Sequence, residues 1–313
     1  MRIVFMGTPE FSVIILRRLL SSEHEVIAVY SQADKLAGRG RIATAPPVKR
    51  AAQEHDLAVF QPKRLRDKAE VGRLAHLKPD AVIVAAFGQI LSPEILDIPE
   101  FGCLNVHPSL LPWHRGASPI VSAILDDDAE TGVTIMLMDA GMDTGPVLSQ
   151  RRVSIHGEDT AESLGSRLAQ VGADLLIETL PQWFERRLLP QPQKEEDATY
   201  TRPILKSDGE IDWSLPAAEL GRRVRAFYPW PGCFTLWQGK VLKILEAVAL
   251  PPGGEVEPGM VVSLSSEVPV GVGTGEGILG LHRVQLQGKR AMPAAEFLHG
   301  QRTFIGQRLP HFI

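Results

Sequence analysis

The chain has 313 residues, 44% of them apolar, which is long for one hydrophobic core and comfortable for two. A net charge of −4 excludes a globally basic nucleic-acid binder, so any RNA has to be held by local patches. Two cysteines, Cys103 and Cys233, are too few and too far apart for a disulfide framework or a paired-cysteine metal site, and no apolar run approaches the roughly 20 residues of a membrane span.

Residues 2–6 (RIVFM) form a short apolar strand, and Gly7-Thr8-Pro9 turns into an amphipathic helix over residues 11–20. Nothing in this opening has the charged-then-apolar pattern of a leader, so a cytoplasmic protein of bacterial type is expected. Further apolar strands follow at 25–31, 81–86, 102–106 and 133–138, separated by helical windows such as 48–54 and 67–77. Such alternation predicts a doubly wound α/β domain around a mostly parallel, Rossmann-like sheet over residues 1–188, closed by a helix from about 160 to 187. Residues 189–208 are rich in proline and charge without periodicity, the texture of a linker. From 209 to 313, short β-like runs alternate with Gly and Pro turns, predicting a small antiparallel OB-like β-barrel with helices only at 216–226 and around 293–299.

In an open α/β sheet, ligands bind beyond the carboxyl ends of the strands. Asn105 and His107 stand there, ending the strand GCLNV, and their i, i+2 spacing puts both side chains on one face. Asp143 lies in the loop MDAGMDTG after the strand at 133–138, which the parallel reading brings to the same edge. An Asp in a glycine-rich turn is ordinarily only an Asx turn. Beside a histidine it can orient and charge-stabilise the imidazole, while the Asn amide donates to a developing oxyanion. No GxSxG elbow and no activated cysteine is visible, so the nucleophile is expected to come from the substrate, as in acyl transfer to an amine.

The segments AFGQIL (86–91), NVHPSLLPWHRGASPI (105–120), ETGVTIMLMDAGMDTG (130–145) and RAFYPWPG (225–232), with the opening FMGTPEF and the loop AGRGRIATAPPVK, resemble the methionyl-tRNA formyltransferases of the folate-dependent formyltransferase superfamily over essentially the whole chain. The resemblance implies a one-carbon transfer from 10-formyltetrahydrofolate, a co-substrate, to the α-amine of initiator methionyl-tRNA. It involves no metal, and a monomer is expected. It assigns Asn105, His107 and Asp143 to catalysis. Phe87, Gly88, Gln89, Ile90 and Leu91, with Ser109, Leu110, Leu111 and Pro112, are assigned to the folate site. Arg39 and Arg41 in the front loop, with Lys206, are assigned to tRNA, the tail domain being the tRNA-binding one.

From residue 206 onward the chain carries 11 Lys and Arg against 10 Asp and Glu, so the tail is at most mildly basic. Arg222-Arg223-Arg225 and Lys289-Arg290 are its candidate phosphate contacts, although such clusters are more often solvated faces. Competing expectations are a formyltransferase acting on a small amine, such as an amino-sugar nucleotide or glycinamide ribonucleotide, and a formyl-folate hydrolase. A dinucleotide-binding module is disfavoured because the first turn, GTPEF, lacks the GxGxxG glycines.

Overall fold

A computed structural model describes residues 1–37, 42–251 and 256–310. The chain's own contacts divide it into two compact units. Unit 1 comprises Met1–Pro119, Glu130–Ser154 and Gly165–Thr201; unit 2 comprises Ile120–Ala129, Ile155–Leu164 and Arg202–Ile313.

Unit 1 is built on a seven-stranded sheet of β1 (Arg2–Gly7), β2 (Glu25–Tyr30), β3 (Val59–Phe60), β4 (Ala81–Ala85), β5 (Cys103–His107), β6 (Glu130–Leu137) and β7 (Val147–Ser154), in the order β7-β6-β5-β4-β1-β2-β3. β3, β2, β1, β4 and β5 run parallel, as buried hydrophobic strands linked by helices do, whereas β6 and β7 are antiparallel to their neighbours. On one face, Val4, Met6, Tyr30, Val82, Val84 and Cys103 join Leu74 of the helix Lys68–Leu77 and Ile95 in a core cluster. On the other face Gly172 lets the long helix at Ala161–Phe184 approach so closely that an added Cβ would stand 2.9 Å from Val106 and 3.1 Å from Val133.

The direction of β6 changes how Asp143 reaches the site. Leu137 pairs with Leu104 and Thr134 with His107, so the carboxyl end of β6 lies at the amino end of β5, at the edge opposite the one expected. The connection to β7 therefore starts at the wrong edge and must return across a face of the sheet to bring Asp143 to Asn105. Antiparallel pairing was not visible because strand direction leaves no trace in composition.

Unit 2 holds a six-stranded antiparallel half-barrel of β8 (Cys233–Trp237), β9 (Lys240–Leu250), β10 (Val261–Ser263), β11 (Val270–Gly273), β12 (Ile278–Leu286) and β13 (Met292–Pro293), ordered β8-β9-β12-β11-β10 with β13 on β12. Its core is knitted by three aromatic rings in edge-to-face contact: Trp237 lies 5.7 Å from Phe297 and 5.4 Å from Phe304, and the two phenylalanines are 5.2 Å apart. Val121 and Leu125, from the middle of the chain, pack against this core. No helix among the described residues is long and apolar enough to cross a membrane.

Candidate active site

Asn105 and His107 stand one pleat apart on β5 and share the face that carries Cys103, which leaves them 9% and 4% exposed. His107 Nε2 lies 3.1 Å from the carbonyl of His114, which can only accept, so Nε2 carries a proton and Nδ1 is the nitrogen that titrates. His114 aims that carbonyl from a left-handed backbone at φ 56°, while its own N–H donates to Thr199 Oγ1 at 2.7 Å.

Asp143 also adopts the left-handed region, at φ 54°, which Asp tolerates better than most residues. Its Oδ2 accepts the Gly116 N–H at 2.8 Å and faces His107 Nδ1 at 3.7 Å; its Oδ1 lies 3.4 Å from Asn105 Nδ2. The last two are longer than ordinary hydrogen bonds and need under about 1 Å of closure, as catalytic contacts in ligand-free sites often do. Gly116, at φ 107°, could not be another residue, because an added Cβ would meet the Thr201 carbonyl at 2.5 Å. The loop before Asp143 is closed by Asp139, whose Oδ1 accepts from the Gly141 N–H at 3.0 Å and Thr144 Oγ1 at 2.7 Å.

Burial is the largest influence on His107 and lowers its pKa below the ordinary histidine value; the Asp143 carboxylate and the His114 carbonyl oppose it in part. The imidazole is therefore held neutral at physiological pH, as a proton acceptor must be. Burial pushes the thiols of Cys103 and Cys233 up to about 12, which removes both as nucleophiles.

A cavity of about 340 Å³ adjoins Asp143, walled by Gly88, Ile90, Leu91, Met136, Met138 and Asp143 among others. Of the trio only Asp143 reaches its wall. Gly88 to Leu91 are thus brought to the site, but Phe87 is 2% exposed within the core cluster, and its carbonyl accepts from Thr8 Oγ1 at 2.9 Å. The Gln89 side chain is spent on a neighbouring loop, accepting from the Leu65 N–H and donating to the Pro62 carbonyl. Leu110, Leu111 and Pro112 line a separate cavity of about 190 Å³ with Trp113, Gln150 and Arg152. Ser109 is fully buried and donates to the Trp113 carbonyl at 2.6 Å.

Arg39 and Arg41 lie outside the described residues. Lys206 is exposed at the start of a short 3-10 turn in unit 2, Lys206–Gly209. In the same unit the arginines of the tail cluster are engaged: Arg222 with Asp127, Arg223 with Glu219, and Arg225 with the Asp159 carbonyl.

Residues 1–180 match the family described as formyl transferase, and residues 203–302 match formyl transferase, C-terminal domain. The chain is 46% identical to a methionyl-tRNA formyltransferase of Roseiflexus sp. over 99% of its own length and 95% of that protein's. The chain belongs to the methionyl-tRNA formyltransferase family. A member from Methylococcus capsulatus is 47% identical, with 99% of each chain covered. Among solved structures, HypX from Aquifex aeolicus in complex with tetrahydrofolic acid superposes with a TM-score of 0.67 at 20% identity, covering 97% of this chain and 48% of that one, and shares the fold.

Sequence reasoning missed Gln193, Arg115 and Tyr200. Gln193 Nε2 donates to the carbonyls of Asp143 and Gly145 at 2.8 and 2.7 Å, and it stands in the stretch whose composition resembles a linker. The available signal was Arg115 itself, an arginine beyond the turn that follows Asn105 and His107, which the structure buries to 1% exposure.

Proposed function

We propose that this enzyme transfers the formyl group of 10-formyltetrahydrofolate to the α-amine of methionyl initiator tRNA, as a monomer in the bacterial cytoplasm. The reading is carried by the convergence of Asn105 and His107 on Asp143 beside a cavity of about 340 Å³. That cavity suits a pterin: Ile90, Leu91, Met136 and Met138 offer apolar walls, and the peptide edges of 88–91 and 139–143 border it. End-to-end likeness to methionyl-tRNA formyltransferases supports the choice of acceptor.

In this reading the substrate amine attacks the formyl carbon, and the C–N bond to the folate breaks as the folate nitrogen takes up a proton. Asn105 Nδ2 has two hydrogens; one points to Asp143 and the other is available to the oxyanion. His107 Nδ1, kept unprotonated by burial, receives the proton that the amine sheds, and the Asp143 carboxylate stabilises the resulting imidazolium. Arg39, Arg41 and Lys206 contact the tRNA, and Leu110 to Pro112 border the folate more distantly than residues 88–91 do.

The test presents 10-formyltetrahydrofolate with methionyl initiator tRNA, glycinamide ribonucleotide or an amino-sugar nucleotide. Formyl transfer to the tRNA alone is expected; transfer to either small amine instead would overturn the reading.

A further inference from the structure

Residues 189–201 touch the site at separate points: Gln193 meets the Asp143 loop, and Glu195, Thr199 and Tyr200 meet Arg115. Gln191 exchanges backbone hydrogen bonds with Val147, and Tyr200–Thr201 pairs in parallel with Arg115–Gly116. Between these anchors Gln193 spans a gap in the site. Its amide orientation is forced by its partners, since two carbonyls can only accept and the Arg115 Nε–H can only donate; Gln193 Oε1 receives that donor at 3.0 Å. Arg115 is in turn clamped by Glu195 Oε2 and Tyr200 Oη, both at 2.8 Å, and its guanidinium lies 5.6 Å from the centre of the Tyr200 ring. Although burial disfavours its charge, these hydrogen bonds outweigh that penalty and raise its pKa.

Asp143 is therefore held from two sides by one device: Gly116 takes its carboxylate, and Gln193, resting on the neighbouring Arg115, takes its backbone. We infer that Gln193, backed by Arg115, is a positioning residue that sets the approach of the Asp143 carboxylate to His107. The inference rests on the functional reading above. Gln193 touches no reacting atom. Its two donors hold the backbone carbonyls on both sides of Thr144, whereas further hydrogen bonds of the loop hold the Asp143 carboxylate (from Gly116 and Asn105), the Thr144 hydroxyl (on Asp139) and the Pro146 carbonyl (from Leu137).

Two substitutions separate positioning from bulk stability. Gln193→Ala removes both donors, whereas Gln193→Glu keeps an acceptor for Arg115 and replaces the donating amide by an oxygen facing two carbonyls. Because a displacement of about 1 Å can cost on the order of 100-fold, both variants are expected to lower kcat on the order of 10- to 100-fold with both KM values within about threefold. The second readout is the NMR titration of the His107 ring. The charged and titratable groups facing that ring are Asp143 and His114, and Asp143 raises its pKa. A displaced Asp143 must lower the midpoint, so Gln193→Ala and Asp143→Asn should each lower it, and the double variant should lower it no further. Restored turnover in Gln193→Glu, or a fall in kcat with an unmoved His107 midpoint, would overturn the inference. If Asp143→Asn keeps full formyl transfer, the functional reading fails instead, and the titration alone decides whether Gln193 holds Asp143.

Discussion

At the scale of single residues, the site is a buried imidazole whose two nitrogens have separate duties. Nε2 is tied to the His114 carbonyl, so proton transfer is left to Nδ1. Burial lowers the His107 pKa in the folded state, which fixes the sign of a pH effect. The unfolded chain binds a proton there near pH 6.5 and the folded one only at lower pH, so this group's contribution is complete above about pH 6.5 and declines as pH falls toward the folded midpoint. Denaturation midpoints measured in that window should fall with pH in the wild type and flatten in His107→Gln. A slope that persists in the variant would assign the titration to another group. Asn105→Ala removes the oxyanion donor and should lower kcat on the order of 100- to 1,000-fold with the fold intact; near-normal turnover would remove Asn105 from the chemistry.

At the scale of elements, β6 does more than complete the sheet. Thr134, fully buried and paired with His107, donates to the Ser109 carbonyl at 2.7 Å and accepts from the Leu111 N–H at 3.1 Å and Gln150 Nε2 at 2.9 Å. One hydroxyl thereby satisfies the turn that follows β5. Thr134→Val keeps the shape but strands these buried groups, at about 1–3 kcal/mol for each group left unpaired. A lowered urea midpoint is the expected result, and an unchanged one would mean that the turn finds other partners.

Much of this element level was legible in the sequence. The helix read at 11–20 is found at Glu10–Leu20, and that at 216–226 at Ala217–Ala226, because apolar spacing of 3.6 is a strong signal. β7 escaped because VLSQRRVS buries few of its side chains and sets two arginines side by side, so its two-residue period is faint. Asn105 and His107 could be read because they end an apolar strand. The partnership with Asp143 was reached on the assumption that the strand at 133–138 runs parallel to the one carrying Asn105 and His107, yet it is β6's reversal and the returning loop that bring Asp143 there. Gln193 was illegible since its role lies in contacts made 50 residues away in sequence, to a backbone carbonyl that carries no sequence signature.

At the scale of the whole molecule, the absence of a strong net positive charge sets how tRNA has to be held. A few local cations should give a modest salt dependence, with log affinity falling by roughly 0.7–0.9 per phosphate neutralised for each decade of salt. Replacing Arg39 and Arg41 together by alanine should reduce that slope by about 2 and weaken tRNA binding, leaving folate affinity unchanged. Equal slopes in variant and wild type would reject the front loop as a phosphate contact.

The polypeptide passes between the two units five times, and unit 2 recruits Ile120–Ala129 and Ile155–Leu164 long before the bulk of its own sequence. This has a consequence in time. Val121 and Leu125 leave the ribosome well ahead of the half-barrel core they pack against, which begins to be made only after residue 202. At about 5–20 residues per second, the remaining stretch takes roughly 6–20 s to synthesise. For at least that interval Val121 and Leu125 lack the core that covers them in the finished protein, so a nascent chain halted in the last third of the message is inclined to stick to its neighbours or to be captured by chaperones. Neither unit, as its contacts bound it, can be removed at a single cut.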